Sequence, residues 1–397
     1  MGLSSATLVS QCLGLCAVPL ITRLYSPEDF GVFAIFSGSL AIAVPFLSLR
    51  YENAILHSRK ITDAVKLVKI CFYVATLNIT LLSILLYLTN LKIKYFNSTL
   101  VISAAIFLQG FYAILQNLCY RFKKYNLVTR NILLVTIVNV VLSITFGYLG
   151  LKNSNGLVLA NTFSNLIGLA FFIFVWKKLR FFGKFTSYIS VLKLYEAYPK
   201  KDLLACTANL LSQNGPSIVL SQFFSTKILG DYFLNQRLLN VLTSVIIDPI
   251  TILFRNEALA EQDKTKQFNC TFKSTFKILV LISLSVLFLS KISGEHLFTF
   301  VFGQKWKDSF IFFQIVIYMF VVKMIVSPLS ASMFLTNNQS QNTLGQTIIL
   351  FSSILSMAIG ISFQSFMYFV VSNTVLLSIS YIAYLIFCYR LSKRNLS

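Results

Sequence analysis

Apolar runs of about 20 residues recur along the whole chain, and this pattern limits the fold more than any other feature. A helix needs about 20 apolar residues to cross about 30 Å of hydrocarbon. The chain is also 56% hydrophobic and 12% charged, which is more apolar surface than a soluble domain can bury. The sequence therefore predicts an all-α polytopic membrane protein with about 12 transmembrane helices. The predicted runs are approximately 3–22, 31–50, 67–88, 99–119, 131–150, 156–176, 203–223, 232–254, 276–292, 309–335, 344–362 and 366–389.

The basic residues are distributed unequally between the two sets of connecting loops. Of the 34 Lys and Arg residues, 24 follow the even-numbered runs and 8 lie in the opposite loops. Lys and Arg in short loops stay in the cytoplasm. We therefore expect a multi-pass protein with both termini in the cytoplasm. The net charge of +21 then indicates anionic lipids as partners, and nucleic acid is not an expected partner.

The turn between the first two runs, in "TRLYSPEDFGVFAIF" at 22–36, carries a helix-start pattern. Ser26 suits the N-cap position, Pro27 the first helical position, and Asp29 the fourth position of a capping box. Glu28 and Asp29 also face the positive end of the helix dipole. This predicts a capped helix start, and a ligand-binding role for the two acids is the alternative.

The two halves of the sequence echo each other. The matching residues are Ser10-Gln11 with Ser212-Gln213, Pro19 with Pro216, Gly31 with Gly230, and Pro45, Arg50 and Glu52 with Pro249, Arg255 and Glu257. Duplicated halves are a common plan in transporters. We therefore predict six-helix halves at 1–180 and 203–397 around a central cavity. The linker at 181–202 is expected to be a cytoplasmic amphipathic segment, with a solvated connector as the alternative.

Several segments together resemble one family of membrane proteins. They are "TRLYSPEDFGVFAIF", "SLRYENAIL", "LQGFYAILQNLCYRFKKYNLVTRN", "YPKKDLLACTANLLSQNGPSIVLSQFFSTKILGDYFLNQRLL", "FGQKWKDSFIFFQ" and "SPLSASMFLTNNQSQNTLGQ". The chain resembles the O-antigen and oligosaccharide flippase family of polysaccharide biosynthesis proteins. That family lies within the multidrug/oligosaccharidyl-lipid/polysaccharide exporter superfamily.

The resemblance implies a transport function and no catalytic site. The expected substrate is an undecaprenyl-pyrophosphate-linked oligosaccharide repeat unit of the O-antigen or capsule type. It would move from the inner to the outer leaflet of the bacterial inner membrane by alternating access. Candidate partners are the polymerase and chain-length proteins of the same pathway. No cofactor or metal is expected, and a proton or a sodium gradient could supply the coupling ion.

Two cations inside predicted spans are the main candidates for binding such an anionic substrate. Arg237 and Lys323 each cost about 2.5 to 3.5 kcal/mol near a helix centre, so both need water, an acid or a ligand. Arg237 lies only about 9 Å into its run, so snorkelling to the interface is its alternative role. The full predicted substrate-binding set is Arg23, Arg237, Lys323, Gln11, Gln213 and Asn214. Hydrogen bonding between helices is the alternative for the Gln and Asn side chains.

A second set of charged residues suggests an inner gate or an ion-coupling site. It comprises Arg50, Glu52, Asp248, Arg255 and Glu257. Arg50 and Glu52 are two residues apart and so cannot face each other on one helix. Pairing across the two halves would close a gate, and ordinary topology anchors are the alternative. Asp248 and Glu52 are the candidates for ion coupling, with a structural salt bridge as the alternative.

Two other functions remain as alternatives. A multidrug exporter of the same superfamily would favour acids in its lumen, whereas this chain places cations there. A membrane polysaccharide polymerase or ligase would need catalytic residues in a large outer loop. Glu295 and His296, in the outer loop at about 293–308, are the residues that support this enzyme alternative.

Overall fold

The computed structural model describes residues 3–58, 60–88, 99–150, 155–176, 188–335 and 339–393. Helices dominate these ranges. They are α1 Leu3–Leu24, α2 Pro27–Leu47, α3 Tyr51–His57, α4 Ile61–Leu88, α5 Thr99–Arg121, α6 Tyr125–Tyr148, α7 Asn155–Trp176, α8 Tyr188–Leu194, α9 Leu203–Val219, α10 Thr226–Leu242, α11 Asp248–Thr265, α12 Asn269–Phe302, α13 Lys307–Leu329, α14 Ser332–Leu335, α15 Gln339–Ser362 and α16 Phe366–Ser392. A π-helical turn, Thr243–Ile247, joins α10 to α11.

Eleven helices in the described ranges are long and apolar enough to span a membrane. They correspond to eleven of the twelve predicted runs. The exception is the run at 203–223, where α9 has 17 residues and then tightens into the 3₁₀ turn Leu220–Gln222. The predicted run at 232–254 lies inside a helical segment, Thr226–Thr265, that is much longer than the run.

The start of α2 is a capping box, as the sequence predicts. The Ser26 backbone N–H donates to Asp29 Oδ2 at 2.9 Å, and the Asp29 N–H donates to Ser26 Oγ at 3.3 Å. Asp29 is buried, whereas Glu28 is exposed. Both acids lie in the first turn, where the helix dipole stabilises negative charge.

By its internal contacts the chain divides into two compact units. Unit 1 comprises Met1–Ala17 and Val32–Asn214, and unit 2 comprises Val18–Gly31 and Gly215–Ser397. The boundaries thus fall inside α1, α2 and α9. The division predicted at 181–202 stays a prediction, because 181–187 lies outside the described residues. The rest of that linker contains α8 and the π-helical turn Tyr198–Asp202.

Unit 1 is built around α5, which packs against α4 and α7. Its core includes Phe36, Leu67, Cys71, Ile114 and Phe172. The short helix α3 packs on α4 and α5. This contact holds the segment that begins at Arg50 against the ends of two membrane helices.

Unit 2 is built around α13 and α16, which pack against each other. Its core includes Phe254, Phe268, Phe272, Met324 and Leu329. The helix α10 packs along α13. Helix α12 changes direction at Gly294, whose φ of 58° is left-handed and unfavourable for residues with a β-carbon.

Candidate functional site

A buried polar cluster lies in unit 2 where α10 packs against the start of α13. Asp231 is 1% exposed, and Asn235 and Ser309 are fully buried. Asn235 Nδ2 donates to the carbonyl oxygens of Asp231 at 3.0 Å and Ser309 at 2.8 Å. Ser309 Oγ donates to the Asp231 carbonyl oxygen at 2.8 Å. The cluster therefore ties the two helices together through backbone carbonyl groups.

The helix that carries Arg237 begins earlier in the chain than the sequence predicts. Ser225 caps α10 by accepting a hydrogen bond from the Ile228 backbone N–H, so the helix begins at Thr226 instead of 232. Arg237 is consequently eleven residues, or about 16 Å, from the start of its helix. The distance of about 9 Å expected from a helix start near 232 overlooked this cap. The snorkelling role of Arg237 stays an alternative.

Arg237 and Lys323 are both half-buried in membrane helices of unit 2. Lys323 lies sixteen residues, or about 24 Å, from the start of α13. Within the described ranges, the structure shows neither an ion pair nor a hydrogen bond for either side chain. Among the residues that the structure describes, the two charges therefore lack the compensation that a cation in hydrocarbon normally requires.

Arg23 lies at the end of α1 and is held by unit 2. One guanidinium nitrogen donates to the carbonyl oxygen of Phe300 at 3.0 Å, and the side chain is exposed. Trp306 fixes the same segment, because its Nε1–H donates to the Thr22 carbonyl oxygen at 2.9 Å. A guanidinium has five N–H donors, so Arg23 retains donors for an anion.

The cluster around Arg50 lies in unit 1 and uses an unusual backbone. Arg50 has a φ of 64° and precedes α3, so its side chain does not follow helical spacing. Its Nε donates to Asp202 Oδ2 at 2.9 Å, and its guanidinium lies 3.9 Å from Glu52. The expectation that Arg50 and Glu52 cannot face each other was wrong. It assumed that both residues lie on one helix, whereas Arg50 has a left-handed backbone conformation and precedes α3.

Glu52 is a buried carboxyl on α3, outside the membrane-spanning segments. It is 5% exposed and accepts a hydrogen bond from Ser48 Oγ. Burial raises the pKa of Glu52 above its ordinary value, although the Ser48 hydrogen bond and the nearby Arg50 charge oppose this change. Glu52 is therefore easier to protonate than an exposed glutamate.

The remaining predicted residues lie in different surroundings. Gln213 is exposed and donates to Asn209 Oδ1 at 2.9 Å, and Asn214 donates to the Leu210 carbonyl oxygen at 3.1 Å. These hydrogen bonds stay within α9, and Gln11 is half-buried in α1. Asp248, Arg255 and Glu257 are exposed on α11. The roles predicted for these residues in binding, gating and coupling stay predictions.

Glu295 and His296, the residues on which the enzyme alternative depends, lie directly after the bend in α12. Glu295 is 3.2 Å from Lys307 in an exposed ion pair, and His296 is also exposed. No group of three or more His, Cys, Asp or Glu side chains that could hold a metal occurs in the described residues.

Sequence reasoning missed Asp231 and Asn235. The predicted run began at 232, which placed Asp231 in an outer loop, where an acid needs no explanation. The available signal was Ser225, an N-cap residue directly before "TKILGDYFLNQR". That cap extends the helix backward and places an acid and an amide one turn apart on it.

Comparison with known proteins assigns the family and the fold. A family model described as "Polysaccharide biosynthesis protein" matches residues 20–311. No curated protein matches the chain significantly by sequence. Among solved structures, the lipid II flippase MurJ in an inward closed conformation has a TM-score of 0.73 and 15% identity, covering 97% of this chain and 86% of that one.

Two further solved structures are similar over nearly the whole length of both chains. An inward-facing multidrug resistance MATE family transporter of the MOP superfamily has a TM-score of 0.68 and 15% identity, with 97% and 96% coverage. A MOP superfamily transporter from Pyrococcus furiosus has a TM-score of 0.52 and 12% identity, with 99% and 96% coverage. At such identities the likeness establishes the all-helical, two-lobe membrane fold alone. The chain is therefore a multi-pass membrane protein and belongs to the polysaccharide biosynthesis protein family.

Proposed function

We propose that this protein is a flippase for lipid-linked oligosaccharides. It moves undecaprenyl-pyrophosphate-linked repeat units, of the O-antigen or capsule type, from the inner to the outer leaflet of the bacterial inner membrane. Membership of a polysaccharide biosynthesis family supports the substrate class. The MOP superfamily fold, shared with a lipid II flippase, supports lipid translocation by alternating access.

The observation that carries the proposal is the pair of uncompensated cations in unit 2. Arg237 and Lys323 are half-buried in α10 and α13, and the described part of the chain offers them no acid. A pyrophosphate supplies the missing negative charge during transport. Arg237 lies about 16 Å from the start of α10 and Lys323 about 24 Å from the start of α13, so a pyrophosphate could be passed from one to the other. Several binding positions of moderate affinity allow the pyrophosphate to be released, as in multi-site ion pathways.

The alternatives fit these residues less well. A cationic drug would be repelled by Arg237 and Lys323. A polymerase or ligase would need a catalytic pair, and Glu295 is instead engaged by Lys307. We propose that the termini are cytoplasmic, that anionic lipids bind the basic inner loops, and that the polymerase and chain-length proteins of the pathway are partners. The driving force is proposed to be a proton or a sodium gradient.

The test uses the native strain with its gene deleted. Mass spectrometry of lipid-linked sugars should find complete repeat units, and these should be accessible only from the cytoplasmic side. The wild-type gene should restore their appearance outside. Unpolymerised units exposed outside would instead identify a polymerase, and unchanged lipid-linked sugars would refute the flippase.

Reconstitution gives an independent test of the substrate class. Purified protein in liposomes should move a fluorescent undecaprenyl-pyrophosphate oligosaccharide between leaflets, and quenching by dithionite would report the movement. A cationic drug measured in the same liposomes is the matched comparison. Movement of the drug without movement of the lipid would favour the exporter and contradict the proposal.

A further inference from the structure

Two buried oxygen atoms on α10 accept no hydrogen bond from any residue that the structure describes. They are Oδ1 of Asp231 and Oδ1 of Asn235, and both residues are at most 1% exposed. The two residues are four apart on one helix, so they share a face. Asp231 is the only acid among the described residues with a buried, unpaired side-chain oxygen.

The orientation of the Asn235 amide is fixed by its surroundings. Its Nδ2 donates to the carbonyl oxygens of both Asp231 and Ser309, neither of which can donate in return. Turning the amide over would place its oxygen against these two acceptors. Asn235 Oδ1 is therefore a hydrogen-bond acceptor that none of the described residues supplies with a donor.

A neighbouring asparagine shows what a completed group looks like in the same unit. Asn373 on α16 accepts from Ser356 Oγ at 3.1 Å and donates to the Tyr232 hydroxyl at 3.3 Å. Its oxygen and nitrogen thus both have partners. Buried polar atoms are normally satisfied in this way, so the Asp231 and Asn235 oxygens need an explanation.

One proton would resolve both deficits. A protonated Asp231 carboxyl gains an O–H donor, and Asn235 Oδ1 is the acceptor one turn away. A hard metal cation would need a larger set of oxygen ligands than these two side chains supply. The smallest occupant that completes the cluster is therefore H⁺.

The charged groups around Asp231 favour a proton over an ionised carboxylate. Glu28 on α2 and Asp308 on α13 bring negative charge towards it, and Lys227 on α10 brings positive charge. Lys227 is already paired with Asp308 at 2.8 Å, and that pair is exposed. The adjacent residue Tyr232 packs against Phe366 and Phe369 and accepts a hydrogen bond from Asn373, so α16 brings neutral groups to this part of α10.

We propose that Asp231 and Asn235 form a proton-binding site in unit 2. The Asp231 carboxylate takes one proton from water, and the resulting O–H donates to Asn235 Oδ1. The site releases the proton when the packing of α10 on α13 opens to water. The exposed ion pair between Lys227 and Asp308 begins one turn from Asp231 along α10. This inference does not depend on which substrate the protein moves.

Infrared difference spectroscopy tests the site directly. Purified protein in lipid, labelled with ¹³C-aspartate, is titrated through neutral pH. A carbonyl band of a protonated carboxylic acid should appear with the aspartate isotope shift. Asp231→Asn should remove this band, whereas the matched variant Asp308→Asn should keep it. Asn235→Ala should shift the band to higher frequency, because the hydrogen bond to its acceptor is lost.

Several outcomes would overturn the proposal. A wild-type spectrum without an aspartate band that titrates through neutral pH would do so without any variant. Persistence of that band in Asp231→Asn would place the proton on another residue. Replacement of the proton by sodium, seen as loss of the band on adding NaCl at constant pH and ionic strength, would make it a metal site instead.

Discussion

Gly31 and Gly230 approach each other so closely that neither position can carry a β-carbon. A β-carbon on Gly31 would overlap the carbonyl oxygen of Thr226, and one on Gly230 would overlap that of Pro27. A β-carbon on Gly230 would also lie 2.8 Å from the backbone nitrogen of Gly31. The first turns of α2 and α10 are thus in direct backbone contact within unit 2. These two glycines also match in the internal repeat of the sequence.

Gly230→Ala should destabilise the protein. The atoms that it would meet are backbone atoms of another helix, so relief requires the helices to separate. Overpacking of this kind costs about 1 to 3 kcal/mol. The loss should appear as a lower melting temperature of the purified protein in detergent.

Gly14→Ala is the matched control for that experiment. Gly14 lies inside α1, and a β-carbon there would meet nothing within 4 Å. Alanine favours a helix over glycine by up to about 1 kcal/mol, so this variant should be unchanged or more stable. Equal melting temperatures for the two variants would refute the close contact.

Trp306→Phe should loosen the opening turn. Trp306 is fully buried, packs edge-on against Phe30 at 4.8 Å, and donates its Nε1–H to the Thr22 carbonyl oxygen. Phenylalanine keeps an aromatic ring but leaves that carbonyl oxygen without its donor. An unsatisfied buried acceptor costs about 1 to 3 kcal/mol.

The measurement is again thermal unfolding in detergent. Phe288→Leu, at a 66% exposed position of α12, controls for a smaller apolar side chain. A melting temperature for Trp306→Phe no lower than that of Phe288→Leu would argue against the anchoring role.

Glu52→Gln should change the pH dependence of stability. Because burial raises the pKa of Glu52 in the folded state above its ordinary value of 4.5, the folded state binds more protons than the unfolded state between these two pKa values. Wild-type stability therefore falls as pH rises through this window, and the cost remains at higher pH. Glutamine carries no charge, so the variant should lose this fall and be at least as stable at neutral pH.

Melting temperatures measured from acidic to neutral pH test this expectation. Glu196→Gln is an informative control, because hydrogen bonding to Lys200 lowers the pKa of this exposed carboxyl. The small contribution of Glu196 to stability is present above the unfolded pKa and is lost as pH falls. Stability contributed by Glu196 therefore rises with pH, whereas that contributed by Glu52 falls. A steeper fall with rising pH in Glu52→Gln than in wild type would contradict the burial argument.

The helices and the opening turn were predictable because their signals are local. Ser26 and Asp29 form a capping box within four residues, and an apolar run of about 20 residues specifies a membrane helix by itself. The internal repeat of the sequence matches Gly31 with Gly230, but it does not show that the two glycines are in contact. Sequence matching shows that two positions are equivalent, whereas their distance depends on how α2 and α10 pack.

The charged clusters were harder to predict because they depend on the backbone and on distant partners. Arg50 meets Asp202, which is 152 positions away in the sequence, from a left-handed conformation that its residue type does not signal. Asp231 was assigned to a loop because its burial comes from α13. In both cases the deciding interaction is tertiary.

The orientation of the protein can be tested with single cysteines in a background from which the seven native ones are removed. Leu149→Cys lies at a 70% exposed position directly after α6, next to the loop that is predicted to face outward. Lys264→Cys lies at an exposed position at the end of α11, in a loop predicted to be cytoplasmic. An impermeant maleimide should label only the first in intact cells and both after permeabilisation. Labelling of the second in intact cells would reverse the predicted topology.

The final prediction concerns the cations of the membrane helices. Lys323→Ala should impair export of surface polysaccharide in a deletion strain while leaving the protein in the membrane. Lys323→Arg should retain part of the function, because it keeps the charge but changes the donor geometry. Arg237→Ala should have a similar defect, and the double alanine variant a larger one.

Loss of protein would mimic loss of transport, so the abundance of each variant must be measured in the same membranes. Lys264→Ala is the matched control, because it removes a cation from the exposed end of α11 and should leave export unchanged. The liposome assay with the fluorescent lipid-linked oligosaccharide shows whether a defect lies in transport itself. If the two cations bind the pyrophosphate, the purified variants should also move this lipid more slowly than the wild-type protein. Normal export by Lys323→Ala and Arg237→Ala, singly and together at native expression, would show that these cations are anchors or packing elements. Their charges would then be compensated by water or lipid, and the cationic pathway for the pyrophosphate would be wrong.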